Sequence, residues 1–410
     1  MAARLLLLFV GCFSFVRGTH IVRPEDFGAV GDGKANDWVP IQKSVDSCVG
    51  YDDCRVLLTQ SYLSGYILIK SDNVDFVITG TLAILPKTQY AKLPSYKSYD
   101  FLSSGNLPIK NVQVTGNGTI QSTSPIDWWG CKYLPNVDCW RPAFVSFTNV
   151  EGVRVNRLKF ENSPNHNVKV YNCSNVRIDQ IHIKAPSLSP NTDGVNFHGG
   201  SDQSLTNSII ENGDDCVSII ASGEFLPQCK VAPTSKECQG GNVVVRNVTC
   251  HHGHGLSIGG VRQGTIRNVT FENITATGGM SQGIYSTGGL RIKSYPNGSG
   301  SVSNIMYRNI VLDKVFLPIE LQARYCVWPK KCPPDVTAIK FFNITFENIR
   351  GTSSQWHQVG LLACSKVSPC KNIVLKNVVL GGRHGDGKFD CTNTQNVQFL
   401  NGSNPKACSS

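Results

Sequence analysis

Beyond the first 18 residues the chain has no apolar run long enough to cross a bilayer and no hydrophobic C-terminal tail, so neither a spanning helix nor a lipid-anchor signal is expected. It lacks cysteine pairs at two-residue spacing followed by histidines, which argues against a structural zinc cluster. The glycine-rich entry Phe27-Gly28-Ala29-Val30-Gly31-Asp32-Gly33 lacks the lysine and spacing of a phosphate loop, and no strand precedes it. A nucleotide site is therefore not expected there. Helical periodicity is nearly confined to Asp37 to Val49, and the hairpin dipeptides that would join the longer strands of a β-sandwich are few. No polar linker divides the chain from about residue 70 to 400, so a single domain is expected over 19–410.

What is present suits a secreted all-β protein. Residues 1–18 read as a signal peptide, with Arg4 ahead of the apolar stretch Leu5 to Val10 and Val16-Arg17-Gly18 as the exit. Glycine is abundant at 39 of 410 residues, which implies many turns. Of 16 cysteines, Cys12 leaves with the signal, and most others fall in close pairs. Cys48 and Cys54, Cys131 and Cys139, Cys229 and Cys238, Cys326 and Cys332, Cys364 and Cys370, and Cys391 and Cys408 suit disulfides that pin single loops. Cys216 and Cys250 are left to pair, and Cys173 is odd. Eight sequons (Asn117, Asn172, Asn247, Asn268, Asn273, Asn297, Asn343 and Asn401) agree with secretion. The formal charge of +10 falls to +8 without Arg4 and Arg17, and outside the cell a basic surface favours acidic polysaccharide over nucleic acid.

A weak phrase recurs along the chain: an asparagine, a β-branched pair, a polar break and a second short apolar strand. It appears at Asn73-Val74, Asn111-Val112, Val153-Arg154-Val155-Asn156, Asn175-Val176, Asn242-Val243, Asn268-Val269, Asn309-Ile310, Asn343-Ile344 and Asn377-Val378. Strands this short, rich in valine, isoleucine and asparagine, predict a right-handed parallel β-helix, with the asparagines in the turns. The segment from Asp37 predicts a short helix capping its first coil. Loops at Tyr90 to Pro108, Ser122 to Arg141 and Ser222 to Gly240 break the period and should project as groove walls. Trp128, Trp129, Tyr133 and Trp140 lie in one of them, placed either to stack on sugars or to pack against the coils.

The chemistry-bearing residues concentrate between Pro190 and Gly260. Asp193, Asp214, Asp215 and His254 each stand near a glycine at the edge of a short apolar strand, with Asp193 to Asp214 spaced by 21 residues and Asp214 to His254 by 40. If a coil takes about 20 to 25 residues, these side chains return to one face on successive or alternate coils. Carboxylates one strand spacing apart, about 4.8 Å, repel each other, and at least one should keep its proton. Asp214 and Asp215 would point to opposite sides of a regular strand, so both serve one site only if the backbone bends near Gly213. Arg291 and Lys293 share a strand face, an arrangement suited to gripping a carboxylate. Each residue alone is explained as well by a turn or a solvated edge; their conjunction is what points to a site.

Asn191-Thr192-Asp193, Gly213-Asp214-Asp215, Gly253-His254-Gly255 and Arg291-Ile292-Lys293, in this order, resemble the four signature segments of the polygalacturonases, glycoside hydrolases of family 28. The resemblance spans about Phe27 to the last cysteines. It implies hydrolysis of α-1,4 links of galacturonan, the acidic backbone of pectin, with inversion, without metal or other cofactor, and by a secreted cell-wall enzyme. It further implies Asp214 as proton donor, Asp193 and Asp215 as activators of water, His254 as support for the acid, and Arg291 and Lys293 as ligands of the sugar carboxylate. Tyr325 matches a substrate-binding tyrosine. The gap between Asp215 and His254 exceeds the family's by about one coil, and a loop pinned by Cys229 and Cys238 could block one groove end and favour terminal cleavage. Hydrolysis of rhamnogalacturonan or xylogalacturonan, a calcium-dependent lyase and a non-catalytic solenoid are the rival expectations. A monomer is expected.

Overall fold

The computed structural model describes residues 18–134, 138–221, 223, 227–278, 280, 281, 284, 285, 288–326, 332–334 and 336–409. The signal-peptide reading and Cys12 lie outside the described residues. Short strands wind as a right-handed parallel β-helix, each pairing in register with its counterparts one coil before and one coil after. One face carries β1 (Val145–Thr148), β2 (Val168–Tyr171), β3 (Val195–His198) and β4 (Asp215–Ile220). It continues with the opening part of β5 (Gly255–Thr277), the opening part of β6 (Leu290–Val315), β7 (Ile319–Gln322), β8 (Gln358–Ala363) and β9 (Lys388–Thr392).

Alternation of side chains across these strands sets inside from outside. Val170, Phe197, Ile219, Ile258, Ile292, Leu321 and Leu362 stack as one inward column through their strand registers, all fully buried. At roughly 1.5–3 kcal/mol per buried side chain, this column fixes which residues must face out. The outward neighbours Lys169, Asn196, Ser218, Ser257, Arg291 and Glu320 follow as a row along the rod. On another face Phe271, Tyr307 and Phe346 stack in register, with ring centroids 4.6 and 5.2 Å apart.

The asparagines of the recurrent phrase occupy turns with positive φ, except Asn156, which ends the strand Glu151–Asn156 and leaves the turn position to Arg157 at φ +57°. There they form amide ladders, one running Asn207, Asn247, Asn273, Asn309, Asn348 and Asn377, each Nδ2 donating to the preceding Oδ1. The capping helix α1 (Trp38–Asp46) buries Ile41, Ser44 and Val45 over the first coil. Seven disulfides join the pairs expected, including Cys216–Cys250, and Cys173 is a buried free thiol. Trp128 and Trp129 resolve to the packing alternative: both are buried, and Trp129 Nε1 donates to the Ser163 carbonyl at 3.0 Å. Tyr133, by contrast, is exposed. No helix among the described residues is long and apolar enough to cross a membrane.

Candidate active site

Strand pairing brings the three acids and the histidine onto successive coils. Val195 pairs with Val217 and Val217 with Leu256, so Asp193, Asp214 and His254 stand on neighbouring turns that enter β3, β4 and β5. The 21-residue and 40-residue gaps each amount to one coil. The larger gap holds the projecting segment with the Cys229–Cys238 disulfide, whose short helix Pro227–Val231 packs on β5 and β6. Its Gly223 carbonyl accepts from Gln263 Nε2 at 3.2 Å.

The bend required of Asp214 and Asp215 is present. Gly213 and Asp214 lie in a bend ahead of β4, which begins at Asp215, so the two acids are not neighbours on a regular strand with side chains on opposite faces. Gly213 permits the approach to Ser189: a Cβ there would lie 2.2 Å from the Ser189 carbonyl oxygen. Gly253 has φ +59°, and a Cβ would come within 2.1 Å of the Asp214 carbonyl oxygen. Asn212 locks the turn, its Nδ2 donating to the Thr192 and Asp215 carbonyls at 2.9 and 3.0 Å.

Each acid has a different environment. His254 Nδ1 donates to Asp214 Oδ1 at 2.8 Å, and the Asp215 backbone N–H donates to the same oxygen at 2.9 Å. Burial acts to raise the proton affinity of Asp214, but His254, the charge of Lys293 and that N–H together hold it well below the usual carboxylate range. Burial comes first for Asp193 as well, followed by the charges of Asp214 and Asp215, and these push its pKa well above the ordinary value. Among the three acids the raised proton affinity falls on Asp193, while His254 holds Asp214, the donor implied by resemblance, toward its ionised form.

Asp215 is the most enclosed. Lys293 Nζ donates to its Oδ2 at 3.0 Å, Ser257 Oγ donates to Oδ1, and Arg291 Nη1 lies 3.9 Å from Oδ1. Arg291 also donates through Nε to Glu320 Oε2 at 2.8 Å. Both cations are buried, 6% and 7% exposed, so they are tied to acids rather than to solvent. A buried pair with both partners in place survives desolvation, whereas removal of one leaves a costly lone charge. Tyr325 joins them: its ring centroid is 5.9 Å from the Arg291 guanidinium carbon and 5.5 Å from Lys293 Nζ, and Tyr295 packs edge-on against it at 5.6 Å. All seven residues singled out in the sequence thus converge on one region.

Others were not singled out. His166 precedes β2 by the same offset at which Asp193 precedes β3, and its Nε2 lies 3.8 Å from Asp193 Oδ1. Its other ring nitrogen contacts the Asn196 amide, and burial, with Lys169 nearby, lowers its pKa to about 4. Arg141 donates to the Pro164 and Pro190 carbonyls at 2.9 and 2.7 Å and to Asn191 Oδ1 at 2.7 Å, fastening the loop before β1 to the turn that carries Asp193. Glu320 and Ser257 complete the cation and acid contacts. The row register, with its period of one coil, is the signal that could have found Ser257 and Glu320.

Asp214, Asp215 and His254 place ligand atoms within 4.8 Å of one another, near enough for a shared cation. The donor set is already engaged by protein groups: Lys293 and Ser257 on Asp215, His254 on Asp214.

A parallel β-helix with clustered carboxylates and buried cations on one outer face defines the class of solenoid hydrolases. The family model for glycosyl hydrolases family 28 matches residues 58–408, and the chain belongs to that family and is a glycoside hydrolase. Polygalacturonase-2 of Solanum lycopersicum is 29% identical over 398 residues, covering 94% of this chain and 79% of its own. Among solved structures, a hyperthermoactive exopolygalacturonase from Thermotoga maritima aligns with a TM-score of 0.75 at 19% identity, over 94% of this chain and 93% of that one. An endo-xylogalacturonan hydrolase from Aspergillus tubingensis aligns at 0.68 and 18% identity, over 93% and 99%. These two likenesses carry the fold.

Proposed function

We propose that this chain is a secreted enzyme that cleaves α-1,4-galacturonosidic bonds of polygalacturonate, with inversion and without a metal. The observation that carries the reading is the pair of buried cations, Arg291 and Lys293, set directly against the acid cluster. Both are paired with protein acids, and a galacturonate carboxylate offers them a further acidic partner that a neutral glycan lacks. Asp214 gives its proton to the leaving oxygen, Asp215 and Asp193 draw a proton from water, and water attacks the anomeric carbon from the opposite face.

This assignment needs the proton on Asp214 once sugar is bound. Lys293 is one of the charges that hold Asp214 ionised. A sugar carboxylate beside Lys293 offsets that charge, so binding raises the proton affinity of Asp214, and the proton favoured on Asp193 passes to it, leaving Asp193 ionised to act with Asp215 as the base. His254 remains as the hydrogen-bond partner through which the acid is oriented. The disulfide-pinned segment against β5 and β6 is read as closing one end of the groove, which favours release of sugars from a chain end. Proton NMR of early products, with chelator present, tests the chemistry: the β anomer of a new reducing end is expected to appear first. Retention of the α configuration, or loss of activity on chelation, contradicts the mechanism, and early mixed-length products contradict terminal cleavage.

A further inference from the structure

Trp356 leaves 64% of its surface in solvent, an uncommon exposure for so large a ring. Its ring stacks on His384, with centroids 4.2 Å apart and planes 25° from parallel. The pair is held by backbone hydrogen bonds between two loops: Arg383 N–H to the Gln355 carbonyl at 2.8 Å, His384 N–H to the Trp356 carbonyl at 3.3 Å, and Lys388 N–H to the His357 carbonyl at 2.7 Å. The platform is thus fixed by the backbone and costs little ordering entropy to use. Arg383 and Lys388 are exposed beside it, while Asp386 on the same loop accepts from Asn404 Nδ2 at 3.3 Å.

Its place in the fold is specific. Trp356 lies in the turn that enters β8, as Asp193 and His254 lie in the turns that enter β3 and β5. Leu256 pairs with Leu290, Leu290 with Ile319 and Ile319 with Gly360, so three strand steps separate β5 from β8. That is roughly 14 Å along the axis at about 4.8 Å per step. We propose that Trp356 and His384 form a distal platform on which a sugar ring of the acidic polysaccharide stacks, several sugars from the bond being cut, with Arg383 and Lys388 drawing the chain's carboxylates. An aromatic face suits the apolar face of a pyranose ring, and the basic flanks match an acidic rather than a neutral glycan.

The proposal rests on the galacturonan reading, and the experiment separates the two. Retention of full-length wild-type protein on immobilised polygalacturonate, and turnover of polygalacturonate and of galacturonate trimer, are compared with those of Trp356→Ala and Trp356→Phe. Trp356→Ala should weaken retention and raise KM on the polymer by about five- to ten-fold, with kcat and trimer turnover unchanged. Trp356→Phe should restore most of the loss. Equal retention of wild type and Trp356→Ala, or equal losses on polymer and trimer, overturns the platform. A wild type that binds polygalacturonate through Trp356 without cleaving it would refute the catalytic reading and leave the platform standing.

Discussion

Asp193 is the residue at which stability and chemistry pull apart. Its pKa is raised by burial and by two neighbouring carboxylates, so the folded state holds the proton more tightly than the unfolded state does. The stability it supports is therefore complete below the unfolded value of about 4 and falls as pH rises from there toward the folded value. Asp193→Asn removes a titrating group from that position. Its melting temperature should exceed that of the wild type at pH 7, the gap should close near pH 3.5, and activity should fall by about 10²- to 10⁴-fold. Thermal melts at the two pH values and a reducing-end assay check it. A variant less stable than the wild type at pH 7 contradicts the electrostatic account. The acids and His254 were legible in the sequence because each stands near a glycine at a turn, the local mark of a displayed polar residue. His166, Ser257 and Glu320 were not, since their contacts are made across a coil and leave no local pattern. Arg291 and Lys293 were legible as a cation pair, but not as partners of Glu320 and Asp215, which lie 29 and 78 residues away.

At the level of elements, the turns do as much as the strands. Asn309 has φ +54°, donates to Asn273 Oδ1 at 3.1 Å and accepts from Asn348 Nδ2 at 3.0 Å. Valine at this position would lose both amide bonds and force a β-branched residue into the left-handed region. Two hydrogen bonds at about 1 kcal/mol each plus backbone strain of about 1–3 kcal/mol put the cost of Asn309→Val at roughly 3–5 kcal/mol. Asn309→Gly keeps the conformation and should lose only the ladder share. Urea midpoints for the two variants separate the contributions, and equal midpoints would show that conformation is immaterial here. The asparagine phrase makes these turns readable in the sequence. It could not give the number of coils between Asp215 and His254, because an inserted loop and an extra coil add residues alike. Only the pairing of Val217 with Leu256 shows that they occupy successive coils.

Across the whole molecule, winding converts residues scattered over more than 130 positions, from Asp193 to Tyr325, into one cluster. The inward column fixes the outward row, the bend at Gly213 and Asp214 turns consecutive acids to one use, and Lys293 and Arg291 set the charge that a galacturonate must meet. Hydrolysis of polygalacturonate by wild type and Asp214→Asn, compared at equal concentration and with chelator present, tests this most directly. The account predicts steady release of reducing ends by the wild type and a loss of at least about a hundred-fold in kcat for the variant, with binding of polygalacturonate retained. Near-normal release of reducing ends by Asp214→Asn would contradict it.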